Sequence, residues 1–297
     1  MTASLFYQLL VNGIAMGLLY VLIVLGIDVI MRVTRLVNFA HGQFFMVGAY
    51  VFFYTSVSLH IHWIPDLVFA GVALFVIGAA SYLLIFYRVQ KSFRPGQNFI
   101  YQMTMSAMAS LGLMMVLSQG ALLIFGPDSK VVPSITTRMV SASGVLFPVE
   151  KLIVIAVSLL MLIALYLLMY RTKLGLAMRA VSVDTEVASL HGINSLLVCV
   201  VGFALGCALA GVAGGVMAPF MPVEPGMGNS VIFSAFLIMI VGGMGSYKGT
   251  IVGGLVIGLA LSYGVYAFGG LVQLFIFVAV IVFVMFRPEG FFGEIKD

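Results

Sequence analysis

The sequence predicts an all-α fold, a polytopic transmembrane helical bundle with eight or nine crossings and one further helix on the interior side. Two observations carry this prediction: the composition, and the spacing of the charged residues. The 297 residues are 63% hydrophobic and only 8% charged, whereas soluble domains are about one quarter charged. So few charged side chains cannot cover the surface of a soluble protein, which excludes soluble enzymes, nucleic-acid-binding proteins and disordered scaffolds.

The predicted helices follow from stretches that contain no Asp, Glu, Lys or Arg, because a crossing needs about 20 apolar residues. These stretches are residues 1–27, 36–65, 67–87, 95–127, 152–170, 187–223, 225–247 and 249–286. The last is long enough to cross twice if it turns at Gly269-Gly270. The first has no basic residue before Arg32 and is longer than a signal-peptide core, so we expect it to remain as a membrane helix.

The charged turns predict the orientation, because Lys and Arg accumulate in short cytoplasmic loops. If the turns alternate sides, eleven of the 14 basic residues lie on one side, and only Lys130, Arg138 and Lys151 lie on the other. The N-terminus is therefore expected outside and the C-terminus inside. The basic residues never form a run of four, so we expect no nucleic-acid partner for the net charge of +4.

Small residues recur at four-residue spacing within the apolar stretches, which lets helix backbones approach closely in lipid. The pairs are Gly13 and Gly17, Gly202 and Gly206, Gly211 and Gly215, and Gly254 and Gly258. They fit packing within one bundle, and a dimer seam is the alternative. Cys199 and Cys207 lie about 12 Å apart along one helix, too far for a disulfide, so we expect both to be packing residues.

Three polar side chains follow the first basic turn inside a long uncharged stretch: Asn38, His41 and Gln43. Hydrogen-bonding groups are costly in hydrocarbon unless they face protein or a water-filled path. Two interpretations remain open. Asn38 and His41 could tie a broken helix start to its neighbours, or the three side chains could form a polar patch on a translocation pathway.

A loop over residues 219–228 holds three prolines, which prevent a continuous helix. We expect this loop at the outer face, carrying Glu224 and leading into a helix that begins near Asn229. The free N–H groups at such a helix start favour an anionic group. The loop is either an ordinary solvated connection or part of a gate at the outer mouth of the pathway.

No pattern indicates catalysis or a resident cofactor. The glycine-rich segment 242–249 is not a phosphate-binding P-loop, because Tyr247 precedes Lys248 and Gly249 follows it. The histidines and acids show no metal-ligand or acid–base spacing, and Asp28 one turn before Arg32 fits a structural ion pair. We expect a non-enzymatic chain without a cofactor of its own, so that any ATP is bound by another polypeptide.

The longest polar segment spans residues 171–194. Apolar residues recur there at helical spacing, which predicts one amphipathic helix over residues 176–190, stopped by Gly192. This helix could lie along the membrane surface or dock into a groove on a cytoplasmic partner. The contact residues in the docked case are Arg179, Asp184, Glu186 and Leu190.

Four groups of residues resemble the motifs of one transporter family, in the family's order and over nearly the whole chain. They are Val37–Gly42 with Gly48-Ala49-Tyr50, Gly175–Ala180 with Gly192–Asn194, Val241–Ser246 with Gly253-Gly254, and Arg287–Gly293. The string Asn-Phe-Ala-His-Gly is the most specific of these. The chain resembles the LivH-type permease subunit of high-affinity branched-chain amino acid ABC importers.

The resemblance implies a single transmembrane permease domain over residues 1–297, in the bacterial inner membrane, that forms half of a translocation pathway. It implies a homologous second permease (LivM-like), two cytoplasmic ATPases (LivG/LivF-like) that bind ATP, and a periplasmic or lipid-anchored substrate-binding protein, besides membrane lipid. It also makes 171–194 the region that contacts an ATPase.

The solute implied by the resemblance is a branched-chain or other small amino acid, although relatives import urea, short amides or aromatic acids. The candidate pathway or gate residues are Asn38, His41, Gln43, Glu224 and Asn229. A stand-alone secondary transporter or channel is the alternative function. It would need a coupling-ion site, for which Asp28 and Glu224 are the candidates.

Overall fold

The computed structural model describes residues 3–58, 62–92, 99–136, 138–142, 145–243 and 245–292. The helices in these ranges are α1 (Ala3–Thr34), α2 (His41–Ser58), α3 (Trp63–Ser81), α4 (Tyr87–Lys91), α5 (Phe99–Phe125), α6 (Val149–Arg171), α7 (Lys173–Val183), α8 (Thr185–Leu190), α9 (Ser195–Met217), α10 (Met227–Gly242), α11 (Tyr247–Phe268) and α12 (Val272–Phe286). A π-helix (Tyr82–Phe86) joins α3 to α4. The sequence features at His60, Arg94 and Met244 and from Gly293 onward lie outside the described residues.

Six described segments are long and apolar enough to cross a membrane: Ala3–Thr34, Trp63–Lys91, Ile100–Phe125, Val149–Arg171, Ser195–Met217 and Tyr247–Phe286. The last holds two helices, and α10 is a shorter apolar helix. Every charge-free stretch of the sequence contains at least one helix. The prediction of an all-α polytopic membrane protein is therefore confirmed.

The chain divides into two compact units. Unit 1 comprises Met1–Leu25, Pro133–Leu160 and Phe233–Asp297, and unit 2 comprises Gly26–Val132 and Met161–Ile232. Three helices, α1, α6 and α10, contribute residues to both units. The assignment of a single permease domain to residues 1–297 stays a prediction.

In unit 1 the first part of α1 packs antiparallel against α11 through glycines. A Cβ atom at Gly13 would lie 2.9 Å from Leu259 Cα, and a Cβ atom at Gly17 would lie 2.9 Å from Gly254 O. The two backbones are therefore in direct contact, which only residues without a side chain permit.

The end of unit 1 folds back on itself twice. Gly269 ends α11 with a φ of 58°, in the left-handed region, and the chain reverses there so that Gly264 packs against Val272 of α12. Beyond α12, Phe291 N donates to Val241 O at 2.8 Å. Two of the stretches that carry the family resemblance therefore meet at the end of α10.

Unit 1 also holds a short hairpin of two antiparallel strands, β1 (Met139–Ala142) and β2 (Val145–Pro148). Next to it, Ser134 Oγ and Thr136 N donate to Glu150 Oε1 at 2.8 and 3.3 Å, which anchors the connection to the first turn of α6. The sequence analysis did not predict these strands, because four residues are too few to show an alternating pattern.

In unit 2, α9 is the central helix, and small residues on its different faces contact three other helices. Gly202 packs against Val33 and Gly206 against Gly26 of α1, Gly211 against Leu74 of α3, and Gly214 against Phe45 of α2. Both cysteines are buried and free, with Cys207 against Gly78. The small residues therefore pack within this chain, as the bundle interpretation predicts.

Candidate functional site

The segment that leads into α2 is not helical and is held by side-chain hydrogen bonds. Arg35 leaves α1 with a φ of 54°. Asn38 Oδ1 then accepts from Ala40 N at 3.0 Å, and Phe39 N donates to Ser110 Oγ of α5 at 3.0 Å. Asn38 thus ties down the start of α2, which is the contact that the structural interpretation of this residue requires.

Helix α2 begins beside the body of α1 and not at its end. His41 is fully buried, and a Cβ atom at Gly26 would lie 2.9 Å from its Nε2. Gly26 precedes the end of α1 at Thr34 by eight residues, about 12 Å along the axis. The chain therefore runs back along α1 before α2 starts, and α2 begins beside Gly26.

The starts of α2 and α10 meet backbone to backbone in unit 2. A Cβ atom at Gly42 would collide with Gly228 O, and a Cβ atom at Gly228 would collide with Gly42 O. One residue further along each helix, Gln43 Nε2 donates to Asn229 Oδ1 at 2.7 Å. The structure thus brings together two predicted pathway residues, Gln43 and Asn229, which we call the amide pair.

A second reciprocal glycine contact supports this junction. A Cβ atom at Gly26 would lie 2.7 Å from Gly206 O, and one at Gly206 would lie 2.5 Å from Gly26 O. Together with the contact between Gly42 and Gly228, this contact brings α1 close to α9 and α2 close to α10. Interrupted helices that start within the membrane are the elements from which transporters build solute sites.

The junction contains buried polar atoms that the protein leaves unsatisfied. Asn38 and Gln43 are each only 1% exposed. Asn38 Nδ2 and Gln43 Oε1 have no hydrogen-bond partner within the described part of the chain. Each such atom costs roughly 1–3 kcal/mol when buried, so a site that admits water or a polar solute is the natural reason to retain them.

Glu224 lies in the exposed connection between α9 and α10. Its Oε2 accepts from Ser129 Oγ at 3.3 Å. Next to it, Lys130 and Val223 exchange two backbone hydrogen bonds at 2.9 and 2.8 Å. No hydrogen bond among the described residues joins Glu224 to the amide pair, and Glu224 is exposed whereas Gln43 is buried.

The predicted single helix over 176–190 is wrong, because the structure forms α7 and α8 with a break at Asp184. Asp184 is extended, with a φ of −153°. Its Oδ1 accepts from Glu186 N at 2.8 Å and Val187 N at 3.0 Å, which caps a new helix. Gly192, with a φ of 79°, ends the segment where the sequence predicts.

Residues 173–190, the α7–α8 segment, present apolar side chains to their surroundings, and Arg179 holds the segment in place. Leu190 is 86% exposed and Val183 is 79% exposed. Arg179 donates to Met169 O and lies over the Tyr170 ring, 5.2 Å from its centroid. Among the predicted contact residues, Arg179 therefore supports the segment from within, and Leu190 is exposed.

Two buried polar residues of unit 2 were not predicted as site residues, although Tyr50 belongs to one of the stretches that carry the family resemblance. Tyr50 is fully buried with its ring stacked on Phe125, centroids 4.2 Å apart. Asp66, which separates the charge-free stretches 36–65 and 67–87, is fully buried in the first turn of α3. Tyr50 could have been found by its position seven residues after Gln43, which is two turns along the same face of a helix.

Fold and site together define a class, a multi-pass all-helical membrane protein with a buried polar junction between two helix starts. Residues 9–285 match the family described as branched-chain amino acid transport system / permease component. The chain belongs to this family. No solved structure matches the chain.

Three relatives illustrate the range of the family. The high-affinity branched-chain amino acid transport system permease protein BraD of Pseudomonas aeruginosa is 29% identical over 97% of this chain and 96% of the relative. LivH of Escherichia coli K12, a permease protein of the same kind of system, is 30% identical over 86% of this chain and 84% of the relative. A probable LivH of Methanocaldococcus jannaschii is 30% identical over 96% and 92%. These relatives are transport permeases, and they do not favour a stand-alone transporter or an enzyme.

Proposed function

We propose that this chain is the membrane-spanning permease subunit of an ATP-driven importer for branched-chain or other small amino acids. It forms half of the translocation pathway in the inner membrane. The relatives named as branched-chain amino acid permeases support this solute class. The observation that carries the proposal is the junction of α2 and α10, where Asn38 and Gln43 are buried and keep unsatisfied polar atoms.

The proposed pathway or gate includes Asn38, His41, Gln43 and Asn229 at the junction, with Glu224 at its outer rim. His41 and the amide pair lie next to glycines that pack backbone to backbone, and this close packing fixes the positions of their side chains. A rigid polar patch of this kind offers hydrogen bonds to a passing solute without a conformational search. Glu224, being exposed, is the residue of this group placed to meet a substrate-binding protein.

The proposed complex contains a homologous second permease, two cytoplasmic ATPases and a periplasmic or lipid-anchored binding protein. ATP is bound by the ATPases, because the glycine-rich segment 242–249 does not have the P-loop order. No cofactor is assigned to the permease itself.

The α7–α8 segment is the proposed contact with an ATPase. Its exposed apolar residues fit insertion into a groove, and its support from Arg179 makes it stiff enough to transmit a movement. Arg35 adds to this support, because Arg35 Nη2 donates to Val183 O at 2.8 Å. Asp184, Glu186 and Leu190 lie at the proposed contact.

The proposed topology has nine crossings, with the N-terminus outside and the C-terminus inside. The crossings are α1, α2, α3 with α4, α5, α6, α9, α10, α11 and α12. In this order α1 and α11 run in opposite directions, as do α3 and α9, and both antiparallel pairs are present in the packing. The reversal at Gly269 supports two crossings after residue 249.

Reconstitution tests the function. The chain is co-expressed with its partner permease and ATPases, purified as a complex and placed in proteoliposomes with the binding protein. We expect uptake of radiolabelled leucine that requires both ATP and the binding protein, and none when the ATPase P-loop lysine is replaced. Uptake by this chain without any ATPase would contradict the proposal and identify a stand-alone channel or secondary transporter.

A further inference from the structure

A further unsatisfied group lies on the same face of α2 as the amide pair. Tyr50 follows Gln43 by seven residues, so the two side chains share a helix face about 10 Å apart along the axis. The Tyr50 hydroxyl is buried and has no hydrogen-bond partner in the part of the chain that the structure describes. Buried tyrosine hydroxyls normally find a partner, so this one also requires an explanation.

Two other segments of unit 2 line this face of α2. Phe125 at the end of α5 stacks on the Tyr50 ring, and Ser118 Oγ of α5 donates to Pro225 O at 3.2 Å. Glu224 lies beside Pro225 in the sequence, and its Oε2 accepts a hydrogen bond from Ser129 Oγ at 3.3 Å. The face of α2 from Tyr50 to the amide pair is therefore lined by three segments: the end of α5, the loop before α10 and the start of α10.

The hydrogen-bonding capacity of the amide pair matches the head group of an amino acid. The bond between the two amides uses Gln43 Nε2 and Asn229 Oδ1, which leaves Gln43 Oε1 as an acceptor and Asn229 Nδ2 as a donor. Exchanging oxygen and nitrogen in both amides again leaves one acceptor and one donor, so the result does not depend on how the amides are oriented.

An α-amino acid presents the complementary groups, an ammonium that donates and a carboxylate that accepts. Because both are charged and their sum is neutral, a neutral amide pair can bind the whole head group without a fixed charge in the membrane interior, which would be costly. A neutral site also releases the solute more readily than a charged one, because it adds no attraction between full charges to these hydrogen bonds.

We propose that the amide pair is a transit site for the α-ammonium and α-carboxylate groups of the solute, with the Tyr50 hydroxyl as the next polar contact on the same face. This inference rests on the proposed function. It identifies the chemical group that the site recognises. This group is the head group shared by all α-amino acids and not the branched side chain.

The decisive variant is Tyr50→Phe, measured in the reconstituted complex. It removes one oxygen atom and keeps the ring that stacks on Phe125. We expect leucine uptake to fall by roughly tenfold, as for the loss of one hydrogen bond to the solute, with unchanged thermal stability and unchanged ATPase stimulation by loaded binding protein. If the hydroxyl only fills space, the variant is as stable as the wild type and transports normally, which would overturn the proposal.

The matched control is Tyr54→Phe, the same substitution one helical turn further along α2. Tyr54 also lies next to Phe125, with centroids 5.2 Å apart, but its side chain is partly exposed. We expect this variant to transport as the wild type does. An equal loss in both variants would show that the effect is not specific to the buried Tyr50 hydroxyl, and would contradict the proposal.

A second pair of variants tests the amides. Gln43→Leu is expected to abolish uptake, and the exchange Gln43→Asn with Asn229→Gln, which keeps one free acceptor and one free donor, is expected to recover part of it. A photoreactive leucine analogue trapped in the complex with vanadate should label residues 38–50 or 225–232 in the wild type and not in Gln43→Leu. Normal uptake and labelling in Gln43→Leu would overturn the transit site alone, whereas absence of ATP-dependent uptake in the wild type would overturn the proposed function as well.

Discussion

At the scale of single residues, Gly206 illustrates how closely α1 and α9 approach. A Cβ atom there would lie 2.5 Å from Gly26 O and 2.6 Å from Ile30 Cγ1. Gly206→Ala must therefore separate the two helices, and we expect a destabilisation of about 1–3 kcal/mol, the usual cost of overpacking. Thermal unfolding of the purified complex measures the effect as a lower Tm and a lower yield.

Gly112→Ala is the control for this prediction. Gly112 lies within α5, and a Cβ atom there meets no described atom within 4 Å. Replacing it should leave the Tm unchanged or raise it slightly, because alanine favours the helix by up to about 1 kcal/mol. If Gly206→Ala and Gly112→Ala gave the same Tm, the close helix contact in unit 2 would be wrong.

His41 gives the second prediction at this scale. Its imidazole is fully buried against Gly26, and leucine is of similar size but cannot hydrogen-bond. We expect His41→Leu to reduce uptake severalfold while the complex still assembles, as judged by size-exclusion chromatography. His41→Gln, which keeps hydrogen-bonding capacity, should retain more activity. Normal uptake by His41→Leu would assign this residue to packing alone.

Some of these residues could be predicted from the sequence and others could not. Asn38, His41 and Gln43 stand out because amide and imidazole groups are rare in a long apolar stretch. The bond between Gln43 and Asn229 could not be predicted, because it depends on a glycine contact between segments far apart in the chain. Tyr50 was not predicted as a site residue because an aromatic residue in such a stretch is typical of packing.

At the scale of elements, substitutions at the break between α7 and α8 can distinguish a structural role of Asp184 from a functional one. Asp184→Ala removes the cap of α8, at a cost of about 1 kcal/mol, whereas Asp184→Asn keeps an oxygen in the same place and removes only the charge. We expect Asp184→Ala to reduce binding-protein-stimulated ATP hydrolysis more than Asp184→Asn does. The reverse order would show that the charge, and not the cap, matters at the contact.

The neighbouring residues test the contact directly. A photoreactive amino acid at position 187 or 190, both exposed, should crosslink to an ATPase in the purified complex, and Glu186→Lys should lower stimulated hydrolysis. A photoreactive residue at the exposed position 123 of α5 is the control and should not crosslink. If no crosslink forms from α8 and Glu186→Lys hydrolyses ATP normally, this segment is only a surface helix.

The elements themselves were largely predictable, because charge-free stretches of sufficient length must form helices in a membrane. Their starting points were not. Nothing in the sequence places the start of α2 beside Gly26, since that position results from the return of residues 35–40 along α1. The helix breaks at Asp184 because its side chain accepts hydrogen bonds from backbone N–H groups and so competes with the helix. The spacing of apolar residues carries no information about this competition.

At the scale of the whole molecule, the distribution of basic residues predicts one orientation, and cysteine labelling can test it. Cys199 and Cys207 are buried, so the background reaction of the wild type with a membrane-impermeant maleimide is expected to be low. Glu224→Cys places a thiol in the exposed loop before α10, and Lys173→Cys places one at the start of α7.

In intact spheroplasts, a maleimide added outside should label Glu224→Cys and leave Lys173→Cys unmodified, because eleven of the 14 basic residues then lie inside with α7. Permeabilising the membrane should make the second thiol reactive, which shows that it was shielded by the bilayer and not by the fold. The opposite labelling pattern would place the N-terminus inside. It would also move the α7–α8 segment away from any cytoplasmic ATPase, so the same experiment tests the orientation and the proposed coupling contact together.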